Sequence, residues 1–147
     1  MSNIFDTESV MSFRYKSALL SLASMAAVYA WYFTFLVIHF RTGHPFNPVS
    51  HLAGTILLLA FIQIVGHAVI AGTSSDKYGI PDERERAFDR KATMVGYYVL
   101  IVGALGAIAT LHLGFDGPKV GDAVLFAVVF AECTRQAVFL IAHHKAA

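Results

Sequence analysis

Apolar residues run along this chain in four long blocks, and polar residues gather in the short segments between them. The blocks cover roughly Ser17–Phe40, His51–Gly72, Ala92–Leu113 and Val120–Ala142. A helix needs about 20 mostly apolar residues to cross the hydrocarbon of a bilayer, and each block meets that length. Lipid offers no water to satisfy backbone groups, so runs of this kind span it as helices. The pattern predicts an all-α fold: an integral membrane bundle of four transmembrane helices forming a single domain over residues 1–147. No remaining stretch is long enough for a separate soluble domain. Val28-Tyr29-Ala30 loosely resembles a signal-peptide cleavage site, but the apolar run continues through Trp31 to Ile38, so the first block is read as a retained span.

The connections differ in kind. Arg41 to Pro48 carries the glycine and prolines of a tight turn, and Gly114 to Lys119 reads the same way. Short links make spans one and two, and spans three and four, antiparallel neighbours. The middle connection is longer. Thr73 to Gly79 is a turn, and Pro81 suits the first position of a helix. From Pro81 to Lys91 the pattern predicts a charged helix that continues into span three. Asp82, Glu83 and Glu85 would sit where the helix dipole favours acids, and Asp82 with Arg86 has the better orientation for a helical ion pair.

Charge sets the orientation. Arg14 and Lys16 precede span one, Lys77, Arg84, Arg86, Arg90 and Lys91 lie between spans two and three, and Lys145 follows span four. Only Arg41 and Lys119 lie on the other side. The positive-inside rule therefore puts both termini and the middle connection in the cytoplasm, with the helix 81–91 on that side. A formal net charge of +1 provides no basic field for nucleic acid. Cys133 is the single cysteine, which excludes an intrachain disulfide and leaves it as a small buried hydrophobe.

Small residues mark packing faces. Gly96, Gly103 and Thr110 recur every seven residues in span three, and Gly103 with Ala107 forms a small-x-x-x-small pair. Span one has Ser17, Ser21 and Ser24, then Ala23 and Ala27. Such residues let helix backbones approach closely in lipid. These are read as packing signals rather than chemistry.

Two sets of residues could carry chemistry. Glu132 and Arg135 lie inside span four, where charge is costly and marks a site. Counted from Val120 they lie roughly 18 and 22 Å down the helix. The same depth in span two falls at Gln63 and His67, and span three brings Tyr97 to a similar level. Gln136 shares the face of Glu132 and Arg135. The layer has two readings. It is a structural latch in which Glu132 and Arg135 neutralise each other and the remaining groups satisfy them, or a proton- or ion-responsive site using His67 and Glu132. The second set is His39, His44, His51 and His112, which gather toward the outer face. Imidazoles ligate zinc, copper and haem iron, but this spacing matches no metal motif, and no cofactor is expected. No phosphate-binding glycine loop, zinc-protease helix or serine nucleophile elbow occurs, so no enzyme is expected.

The run from Asp82-Glu83-Arg84 through Lys91-Ala92 and into span three resembles a widespread group of small bacterial and archaeal membrane proteins. Their signature is D-E-R, several residues, then K-A or R-A entering a span. The fourth helix, with Glu132, Arg135 and a basic end, is similar to theirs. The resemblance covers roughly the second half of the chain and implies a four-helix membrane protein in which Asp82, Glu83 and Arg84 matter; the expected location is the bacterial cytoplasmic membrane. It implies no activity. The expected function is a non-enzymatic accessory or regulatory subunit that docks a membrane or cytoplasmic protein through Asp82, Glu83, Arg84 and Arg86. One alternative is a homo-oligomeric ion-linked transporter or channel, and another is a haem or metal protein using the outer histidines.

Overall fold

In the computed structural model, residues 13–43, 47–73 and 83–146 are described. They form α1 (Phe13–Thr42), α2 (Pro48–Thr73), α3 (Glu83–Ala109) and α4 (Gly117–Ala146), with a short 3-10 turn over Thr110–Leu113. All four long helices are long and apolar enough to cross a membrane, and the protein is a multi-pass membrane protein. Each helix exceeds its apolar block by a few residues at its ends, apart from span three, whose last turn tightens from α to 3-10.

The ends are made by the turn chemistry in the sequence. Asn47 caps α2, its side-chain oxygen accepting from the backbone N–H groups of Val49 and Ser50 at 3.2 and 3.3 Å. Asp116 caps α4, accepting from the backbone N–H of Lys119 at 3.1 Å. Proline follows at Pro118, where its missing N–H leaves no bond unmade. Gly43 (φ 65°) and Gly114 (φ 82°) reverse the chain in the left-handed region, where a side chain would be strained.

The helices pack side by side in the order α2, α1, α4, α3: among the described residues α2 touches only α1, and α3 touches only α4 and the 3-10 turn. All three seams are antiparallel. Phe13, Thr73, Glu83 and Ala146 therefore lie at one end, here the terminal end, and the two short turns at the other. Two apolar clusters hold the centre. Tyr29, Tyr32 and Leu36 of α1 pack with Leu52 and Leu59 of α2 and Leu125 and Val129 of α4. At the terminal end Ala18, Ala92, Phe139 and Leu140 form the second cluster, with Tyr15 and Phe88 packed against it. Ala92 is fully buried there.

Glycine lets α3 approach α4. A Cβ on Gly103 would lie 2.7 Å from Cβ of Ala127, and one on Gly96 would lie 3.2 Å from the carbonyl oxygen of Ala131. The seven-residue spacing of small residues thus faces the partner helix.

The charged segment predicted over 81–91 is continuous with span three from Glu83 onward; Pro81 and Asp82, and with them the expected Asp82–Arg86 pair, lie outside the described residues. The inner face of the segment packs along α4 through Phe88, and Glu85 lies 3.9 Å from His143.

Candidate functional site

The residues predicted as one intramembrane layer resolve into two polar seams. In the first, α2 is tied to α1. His67 Nδ1 lies 2.7 Å from the backbone oxygen of Gln63, which can only accept, so Nδ1 donates. In the neutral ring Nε2 then accepts, and the Ser17 hydroxyl donates to it at 2.7 Å. One turn deeper, Ser21 donates to Gln63 Oε1 at 3.3 Å, and Gln63 Nε2 donates to Ser24 Oγ at 3.0 Å. Ser24 in turn donates to the backbone oxygen of Leu20 at 2.7 Å. Both ring nitrogens of His67 are therefore engaged, as are the oxygen and nitrogen of the Gln63 amide.

The second seam joins α4 to α3. Arg135 Nε donates to both carboxylate oxygens of Glu132 at 3.0 Å, and Nη2 donates to Oε1 at 2.5 Å. Gln136 Nε2 adds a bond to the same oxygen at 3.0 Å. The other arm of the guanidinium, Nη1, reaches Asp89 on α3 at 3.5 Å. Planar, forked donors suit this double engagement in a way an ammonium would not. About a third of each side chain in the Glu132–Arg135 pair remains exposed, so the pair is matched without being sealed.

The two seams meet at a polar cleft of about 240 Å³ that Ser17 and Ser21 share with Asp89, Arg135 and Gln136. Tyr97 stands apart. It is 59% exposed and makes no hydrogen bond to the layer, lining instead a largely apolar cavity of about 370 Å³ next to Glu132 and Arg135. The six groups expected at one depth thus fall into two sets, Gln63 with His67 on the α1–α2 seam and Glu132 with Arg135 and Gln136 on the α3–α4 seam, with Tyr97 bordering the second.

Sequence reasoning missed five participants. The serines of α1 were read as small packing residues, whereas their hydroxyls anchor Gln63 and His67. Their i, i+4, i+7 spacing opposite the i, i+4 pair on an antiparallel neighbour is the signal that was present. Asp89 was read with the charged segment alone. Asp122, an acid just inside the fourth apolar block, accepts a 3.3 Å hydrogen bond from Tyr32, the most completely buried large side chain of α1. At the other end of the α1–α4 seam, the Tyr15 and His143 rings lie 5.1 Å apart.

Glu83, Arg84 and Arg86, the described members of the expected docking set, are exposed; Asp82 is outside the described residues. Of the outer histidines, His51 bonds the backbone oxygen of Asn47 at 3.1 Å, His39 stands 5.6 Å from the Phe40 ring, and His112 is exposed in the 3-10 turn. His44 lies outside the described residues. Among the described residues, no three histidine, cysteine or acidic side chains gather around a common point for a metal. Beyond the spans, Asp116 has its carboxyl held below the usual carboxylate range by hydrogen bonds from the Lys119 side chain and then from the Lys119 backbone N–H. In comparisons with known proteins, the chain matches no family model, no curated protein and no solved structure.

Proposed function

We propose that this protein is a non-enzymatic membrane subunit that works by association, with the Glu132–Arg135 layer serving as a structural latch. The observation that carries the reading is that the intramembrane charges are consumed within the chain. Glu132 is satisfied by Arg135 and Gln136, and Arg135 divides its donors between Glu132 and Asp89. An ion path needs a group free to exchange its proton or ligand, and His67 is held at both nitrogens. The outer surface of α2 supports association. Ile56, Leu57, Phe61, Ile64 and Val69 are exposed along it, leaving it to lipid or to another helix.

The lysine and arginine asymmetry supports an orientation with the terminal end in the cytoplasm of a bacterial cell. Partner docking then falls on the start of α3, where Glu83 and Arg84 are exposed. Two measurements test this. In sealed vesicles bearing a pH gradient the purified protein carries no proton or cation flux. In its native membrane, a photocrosslinker at Lys91 joins it to one polypeptide of reproducible mass, and Glu83→Lys/Arg84→Glu abolishes that product while leaving helix content unchanged. Wild-type flux that Glu132→Leu removes would replace the latch with an ion path, and an unchanged crosslink in the charge-reversed variant would remove the docking surface.

A further inference from the structure

Between α1 and α3, whose backbones do not come together among the described residues, a groove runs over α4 and changes character along its length. Its mouth, at the terminal end, is a space of about 500 Å³ walled by Arg14 of α1 and by Arg86 and Arg90 of α3. Among the described residues these three arginines form no ion pair. Asp89 also borders the mouth, but its carboxylate is engaged by Arg135 at 3.5 Å. Deeper in, the walls become largely apolar, with Tyr29 of α1, Leu100 of α3 and Val128 of α4 lining the cavity of about 370 Å³ beside the mutually paired Glu132 and Arg135. Thr93 and Tyr97 wall both spaces, so the basic mouth opens directly into the apolar groove.

We infer that this groove binds one anionic phospholipid, with its phosphate among the three arginines and an acyl chain along the groove. Three lines converge on that occupant. Guanidinium groups recognise phosphate oxygens by forked hydrogen bonds, and basic pockets between transmembrane helices take anionic headgroups. Arg90 to Leu100 is a rise of about 15 Å, half of the roughly 30 Å hydrocarbon thickness, which is the depth of one leaflet. Both spaces are open rather than enclosed, so a lipid can enter without crossing protein. A free phosphate would use the mouth and leave the apolar extension without a role.

The test is lipid retention measured by native mass spectrometry after release from nanodiscs containing either phosphatidylglycerol or phosphatidylcholine. One phosphatidylglycerol stays bound and phosphatidylcholine does not. At a contribution of about fivefold per arginine, Arg90→Gln weakens retention about fivefold and Arg14→Gln/Arg86→Gln/Arg90→Gln about a hundredfold. Val128→Trp, which fills the groove from an exposed position and keeps all three arginines, weakens it at least tenfold; it decides the matter if the triple variant fails to fold. Lys119→Gln, at the opposite end, changes nothing. Equal retention of the two lipids, full retention in Val128→Trp, or displacement by inorganic phosphate at the concentration of the competing lipid would overturn the inference.

Discussion

The α3–α4 seam and the α1–α2 seam solve the same problem by different means. In lipid no hydrophobic effect draws helices together, so close packing and polar bonds must do it. Along α3–α4 the backbones come close because Gly96 and Gly103 leave room for Ala131 and Ala127, and Arg135 ties the pair near its terminal end. α2 has one such approach, Gly66 against the side chain of Leu20, and adds polar bonds to it. Thr55 is its only buried residue among those whose burial is described, and Gln63 and His67 hold it to the serines of α1. The lesson is that the first seam depends on shape and would resist loss of any one bond. The second combines apolar packing by Leu20, Leu52 and Leu59 with a few hydrogen bonds averaging about 0.6 kcal/mol each in comparable membrane bundles, and so leans more on individual bonds.

The largest effect is expected where shape matters most. Gly103→Leu places a side chain where even a Cβ meets Ala127 at 2.7 Å, and overpacking of this kind costs about 1–3 kcal/mol. Unfolding in mixed micelles should show a loss in that range, while contacts between α1 and α2 persist. A neutral result would mean the glycines do not set the α3–α4 distance. A smaller effect follows from Gln63→Leu/His67→Leu, about 1 kcal/mol, because the freed serines can bond their own helix backbone. Hydrogen exchange should then rise in α2 alone. If α3 and α4 loosened equally, the contrast between the seams would be lost.

The smallest effect lies outside the helices, at Asp116. Its carboxyl pKa is lowered in the folded chain, so the charged form is favoured by folding. The associated stability is present above the unfolded pKa and disappears as pH falls through the folded one. Asp116→Asn should therefore be slightly less stable than the parent at neutral pH and indistinguishable from it in strong acid. Because the group is fully exposed, a large difference would show that the turn matters more than its surface position indicates.

The fold was legible because membrane spanning is a coarse signal: a run of about 20 apolar residues is readable without knowing what it packs against. Caps at Asn47 and Asp116 and turns at Gly43 and Gly114 follow from local chemistry. The site was half legible. Glu132, Arg135 and Gln136 stand out because charge and amides in a span demand partners, and counting rise along spans two and four, which run in the same direction, brought Gln63 and His67 to their depth. Depth, however, does not give azimuth. Tyr97 sits at the right level but lines the neighbouring cavity, whereas Asp89, placed by sequence on the charged segment, meets Arg135. The serines escaped notice because a hydroxyl on a packing face looks like any small residue until its partner across the seam is known. The order of the helices, with α2 on one flank and α3 on the other, depends on side-chain fit between elements that composition does not encode.

The most direct test of the account is a stability comparison of Glu132→Leu with Glu132→Leu/Arg135→Leu in the same micelles. If the pair is a latch, the single substitution leaves the guanidinium with only the 3.5 Å contact to Asp89 and costs about 2 kcal/mol, below the range for fully buried pairs because the side chains are partly exposed. The double substitution removes the orphaned charge and should recover most of that loss. A double variant as unstable as the single one, or less stable, would show that Glu132 and Arg135 are not held together as a self-contained pair, and would contradict the latch.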